Sequence, residues 1–194
     1  MKGSNEMKNK IEINNCYFHG LAGGIPFWDE DRVTAVGIQQ LRKIVETKGI
    51  YSRRILRERY GINNNEKEPK YNGDKYISLC IRHPDDSEFR GEFFGIDSAF
   101  FRYVQYKIGI VLDPDIINKC NFRQGDYKRL PGERQVLDNI DISNFTAVVI
   151  GVSNKTKVIE KVEDILKEID IPITDLNGNI LTSKKDKENW DIEK

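Results

Sequence analysis

Disulfide bridges, membrane spans and a net electrostatic field are all beyond the means of this 194-residue chain. Its three cysteines, Cys16, Cys80 and Cys120, are an odd number without framework spacing, which excludes a disulfide scaffold and fits a reducing compartment. No apolar run approaches the ~18 residues of a membrane-crossing helix, and the first ten residues lack the apolar core of a secretory signal. A soluble, cytoplasmic protein without membrane association is therefore expected. Lys+Arg and Asp+Glu both number 31, so no overall charge draws nucleic acid or an acidic surface, although local patches remain open. Histidine is scarce, with His19 and His83 alone. Cys16-x-x-His19 and Cys80-x-x-His83 have a spacing that zinc sites use, but residues three apart on a strand point to opposite faces, so no metal is expected. A dinucleotide fingerprint of the G-x-G-x-x-G type is also missing, because the Gly23-Gly24 loop does not supply the spacing.

What is present suffices for one domain with a good core, spanning residues 11–183 between a polar lead (1–10) and a charged tail (184–194). Residues 11–18 read as a strand, interrupted at Asn14-Asn15, that delivers His19 to a glycine-rich loop from Gly20 to Gly24. Ile38, Leu41, Ile44 and Val45 recur at helical spacing behind Thr34, a candidate N-cap, with Gly49 as the stop. A second helix is expected over 51–60, a strand over 76–81, an aromatic-rich helix over 97–106 and a strand over 107–112 that Asp113-Pro114 ends. Strands over 134–137 and 145–152 follow, then a helix over 156–169 with a core-facing stripe from Val158 to Ile169. Around Asn177-Gly178 the residues have hairpin chemistry. Strands dominate and no regular βαβ alternation occurs, which predicts an α+β fold with antiparallel or mixed sheets and peripheral helices.

Tyr17-Phe18-His19-Gly20 early, the 41–50 helix end, Tyr76 with Ser78 on a strand, and Gly132-Glu133-Arg134-Gln135-Val136 late follow one another in a suggestive order. In that order they resemble the ADP-ribosyltransferases of the His-Tyr-Glu kind. The late segment is similar to poly(ADP-ribose) polymerase-like members, and Gly49-Ile50-Tyr51-Ser52-Arg53-Arg54 looks like the bacterial toxins that modify DNA bases. The resemblance covers roughly residues 15–152 and implies a split pair of antiparallel sheets with NAD between them. It departs from the family at Leu21, where a serine or threonine commonly stands.

The resemblance implies transfer of ADP-ribose from NAD, as co-substrate, to a macromolecular acceptor with release of nicotinamide. Glu133 would grip the nicotinamide-ribose 2′-hydroxyl and offset the positive charge of an oxocarbenium-like transition state, with Gln135 as the other register. His19 would bond the adenosine ribose, Gly20 the carboxamide, and Arg53 the diphosphate. Tyr76 or Tyr103 would stack on the nicotinamide, with Ser78 beside it. Just before Glu133, the segment 121–131 carries Phe122, Arg123, Tyr127 and Arg129, a composition able to stack a base and meet phosphates, which favours a DNA or RNA acceptor over protein. Such an enzyme could be a toxin with an antitoxin or immunity partner. The competing expectations are a non-catalytic binding or immunity module on the same scaffold, in which Glu133 is a surface ion-pair residue, and an RNA 2′-phosphotransferase-like enzyme.

Overall fold

A computed structural model describes residues 10–13, 15–23, 25–62, 75–81, 104–119, 122–124, 133–153 and 155–182. These residues form one α+β domain around an eight-stranded, mostly antiparallel sheet, with a two-stranded sheet beside it. The strands of the large sheet are β1 (Tyr17–Gly20), β3 (Tyr76–Ile81), β4 (Ile108–Leu112), β5 (Phe122–Gln124), β6 (Glu133–Leu137), β8 (Phe145–Ile150), β9 (Ile173–Thr174) and β10 (Ile180–Leu181). Their spatial order is β10-β9-β8-β4-β1-β3-β6-β5, and β8 with β9 is the parallel pair. The small sheet joins β2 (Gly49–Tyr51) to β7 (Asn139–Asp141). Three helices of two or more turns, α1 (Glu30–Glu46), α2 (Arg53–Tyr60) and α4 (Lys155–Leu166), and a single turn, α3 (Ile116–Lys119), complete it. No described helix is long and apolar enough to cross a membrane.

Side chains alternate across the central strands and fill two cores. On one face Ile77, Leu79, Ile108, Ile110, Val136 and Val148 meet Val33 and Leu41 of α1 and the Val158-to-Leu166 stripe of α4. On the other, Phe18, Cys80, Val111, Ala147 and Val149 pack with Ile13, Cys16 and Val104. Each fully buried Ile, Leu or Phe here stabilises the fold by about 2 kcal/mol, so both layers are needed to hold the sheet.

One expected strand holds to the residue, and others need correction. The strand over 76–81 is β3 and the hairpin around Asn177-Gly178 is β9–β10. The first strand, by contrast, covers only Tyr17–Gly20, with His19 inside it. Upstream, Cys16 N–H bonds the Ile13 carbonyl in a turn, and Ile11 N–H bonds the Gly178 carbonyl, so residues 10–13 lie along the hairpin instead. α1 starts four residues before Thr34: Glu30 and Asp31 put acid at the positive end of the helix, and Glu30 accepts from the Ser153 N–H and hydroxyl. Gly49 is not the stop of that helix, which ends at Glu46 with Lys48 in the left-handed region (φ 58°). Gly49 instead opens β2, where any Cβ would stand 2.7 Å from the Ile140 carbonyl oxygen of β7. The second helix accordingly begins at Arg53, with the Ser52 hydroxyl accepting from Ile55 N–H and left-handed Gly61 closing it. The helix expected over 97–106 falls largely outside the described residues.

Candidate functional site

The site is built where β1 stops pairing with β3. Tyr17 faces Ile81 and Phe18 faces Cys80, and the paired register goes no further, whereas β1 stays on β4 as far as Gly20 opposite Gly109. Leu21 N–H bonds the Ile108 carbonyl, so by strand alternation His19 and Leu21 turn their backbone groups to β4 and Gly20 turns its own toward β3. The Gly20 N–H and carbonyl thus point into the place where the two strands part.

His19 fills part of that parting. Its Nδ1 lies 3.0 Å from the Ser78 carbonyl oxygen, and because a carbonyl can only accept, Nδ1 carries the hydrogen and Nε2 is the acceptor nitrogen. The ring is half-buried; desolvation pulls its pKa below the ordinary value, and the bond to Ser78 pushes back.

Ser78 also reaches the other way. Its hydroxyl donates to Glu133 Oε1 at 2.9 Å, a diagonal contact on one face, since Ser78 stands opposite Gln135 and Cys80 opposite Glu133. Glu133 is 4% exposed, and its second oxygen, Oε2, is buried with no hydrogen-bond partner among the described residues. A buried carboxylate oxygen left without a donor is costly. The ion-pair expectation for Glu133 is corrected by this burial: Arg134 Nη1 bonds the Glu133 backbone carbonyl, not its carboxylate.

Three of the expected site residues, His19, Ser78 and Glu133, therefore meet on three adjacent strands through one serine. His19 comes to it from the helix-bearing face and Glu133 from the opposite one. Gln135 is buried two residues along on the face of Glu133, and Ser78 chooses Glu133 over it. Tyr76 is half-buried on that face too, two residues from Ser78. Arg53 stands apart, exposed at the start of α2, where Ser52 N–H bonds the Asp138 carbonyl. Asp138 directly follows β6, whose far end Glu133 opens, about 13 Å along the strand at ~3.3 Å per residue. Its neighbour Arg54 forms the ion pair here, with Nη2 2.5 Å from Asp138 Oδ1. Phe122 and Arg123 belong to β5, the edge strand on β6, with Arg123 opposite Gln135; their side chains, and all of Tyr103, Tyr127 and Arg129, lie outside the described residues.

Two contributors escape sequence reasoning. The loop after Gly20 is pinned at Ala22, whose N–H donates to Gln40 Oε1 at 2.6 Å and whose carbonyl accepts from the buried Lys107 ammonium at 3.2 Å. Ala22 is held at φ 58°, a backbone that non-glycine residues adopt at a cost, and the Ile25 N–H also bonds its carbonyl. A lone lysine before an apolar strand is the sole trace of this in the sequence.

Cys16 and Cys80 are buried thiols outside any disulfide, with Sγ atoms 3.6 Å from the carbonyls of Glu12 and Phe18. Among the described residues no group of three His, Cys, Asp or Glu could hold a metal ion; His83 is outside them. No protein-family model matches the chain, and no curated protein matches it.

Proposed function

We propose that the chain transfers ADP-ribose from NAD to a macromolecular acceptor, with nucleic acid favoured over protein, and releases nicotinamide. One observation carries the reading: a buried glutamate, steadied by Ser78 at Oε1, keeps Oε2 without a donor next to the parting of β1 and β3. A ribose 2′-hydroxyl is the kind of donor that oxygen lacks.

In this reading NAD lies across the parting. Oε2 accepts the 2′-hydroxyl of the nicotinamide ribose, so a full negative charge stands beside the sugar as positive charge develops on it. The bond from ribose C1′ to the nicotinamide nitrogen breaks, and its electron pair leaves with nicotinamide. The acceptor's lone pair forms the new bond to C1′, and its proton passes to water. Gly20, with N–H and carbonyl turned to the gap, matches a carboxamide, which needs one acceptor and one donor. His19 Nε2 accepts from a hydroxyl of the adenosine ribose, and Tyr76 offers a flat face.

The test is incubation of the full chain with labelled NAD and separate pools of protein, DNA and RNA, with Glu133→Gln and Gln135→Glu alongside. Label on a nucleic-acid pool, lost with Glu133→Gln and kept with Gln135→Glu, is the expected result. If wild type releases no nicotinamide with any pool, the reading fails and the non-catalytic module gains.

A further inference from the structure

Two N–H groups leave the start of the glycine-rich loop in different directions. Leu21 N–H goes to the Ile108 carbonyl of β4, and the next one, of Ala22, goes to Gln40 Oε1 at 2.6 Å. Successive N–H groups of an extended chain point to opposite sides, so the Gln40 amide stands on the side away from β4, where β1 and β3 part. It also stands near Gly20. Ala22 is two residues on, at most about 7 Å along the chain.

Tight packing brings α1 to this place. Gly37, one turn before Gln40, lies so close to β4 that a Cβ on it would stand 3.3 Å from Ile108 Cδ1, and Leu41 is in the core. Gln40 itself is exposed. Only its oxygen can accept from the Ala22 N–H, which gives the amide one orientation, Oε1 to the loop and Nε2 away from it. Nε2 carries two donor hydrogens and bonds no described residue. The Ala22 carbonyl is tied to the Lys107 ammonium and to Ile25 N–H, so the group that orients the amide is itself fixed.

We infer that Gln40 is a ligand-binding residue of the parting, and that its Nε2 donates to a phosphate oxygen of the dinucleotide. The inference rests on the NAD reading above and meets a need which that reading leaves open. A diphosphate offers acceptors and requires donors. At the parting His19 Nε2 and Glu133 Oε2 are acceptors, and the Ser78 hydroxyl is engaged by Glu133. Arg53, expected to meet the diphosphate, stands at the start of α2, where the chain bonds Asp138 past the far end of β6. Gln40 comes from the helix-bearing face, as His19 does, and brings a donor already aimed.

The experiment is calorimetric titration of the full chain with ADP-ribose, which carries the diphosphate, and with adenosine, which has the same base and ribose without it. Wild type should bind ADP-ribose the more tightly. Gln40→Glu keeps an acceptor for the Ala22 N–H and replaces both donors with negative charge. It should weaken ADP-ribose binding at least about tenfold, leave any adenosine affinity within about twofold, and hold the thermal midpoint. Gln40→Met, with neither donor nor charge, should also weaken ADP-ribose and spare adenosine. Unchanged ADP-ribose binding in both variants, an equal loss of adenosine, a midpoint that falls with the affinity, or no ADP-ribose binding by wild type would overturn the inference. No nicotinamide release from wild type, with ADP-ribose binding that Gln40→Glu weakens, sinks the transfer reading alone. Release from wild type with an unchanged KM in Gln40→Glu sinks this inference alone.

Discussion

Two ladders of the same sheet, β4–β8 and β3–β6, are built alike and lined differently. Each is an antiparallel pair with five aligned positions. In the first, every residue of β4 is buried, and both faces end in aliphatic side chains. In the second, one face keeps Ile77, Leu79 and Val136 in the core, and the other carries Tyr76, Ser78, Glu133 and Gln135. The first ladder is what packing alone selects. The second holds a carboxylate where an aliphatic would pack at less cost, and that difference points to the site more firmly than any single residue does.

The sharpest way to break the comparison is Glu133→Gln. Removing the charge while keeping the shape should cut nicotinamide release by about two orders of magnitude or more, while the thermal midpoint holds or rises because a buried charge has gone. A midpoint that collapses with the activity would make Glu133 a structural residue. The matching change in the other ladder is Ile110→Ala, fully buried beside Val148. It should cost about 3 kcal/mol in denaturant unfolding and leave the activity of the surviving folded fraction near normal. Equal stability losses from both changes would erase the distinction between the ladders.

How much of this was legible in the sequence depended on range. Strand β3 could be bounded because alternation and its turn-rich surroundings are local, and the Val158-to-Leu166 stripe announced its helix. β2 and β7 escaped because three-residue strands leave no period, and they exist through each other, Gly49 against Ile140 and Asp141. The start of α1 was misplaced because Thr34 looks like a cap, while the anchoring contact runs from Glu30 to Ser153, over a hundred residues away. At the site, His19, Ser78 and Glu133 were nameable as residue types. Their meeting was not, since it depends on β1, β3 and β6 becoming neighbours. Lys107 and Gln40 were invisible for the same reason.

Within the second ladder, Ser78 separates orientation from charge. Ser78→Ala removes the donor to Oε1 and should cost about 1 kcal/mol of stability and about tenfold in nicotinamide release, most of it in kcat. An unchanged rate would mean that Glu133 is positioned by its burial alone.

The smallest effect tests the link between the ladders and β1. His19 has a folded-state pKa below its unfolded value, so folding favours the neutral ring. Between the two values the unfolded chain holds the extra proton, and stability therefore rises with pH there. His19's contribution is complete above the unfolded pKa of about 6.5 and is lost as pH falls from there to the folded value. The thermal midpoint of wild type should decline on acidification from about that point, and His19→Gln, which keeps a donor for the Ser78 carbonyl, should flatten that part of the curve. NAD affinity should behave differently if the proposed transfer holds, because the proposal has Nε2 accept from the ribose and so needs it free of a proton in the folded protein; affinity should then hold to a lower pH before it drops. Two separated windows tie the imidazole to both Ser78 and the ribose. Affinity that falls in step with stability near 6.5 would leave His19 a bond to a carbonyl and nothing more.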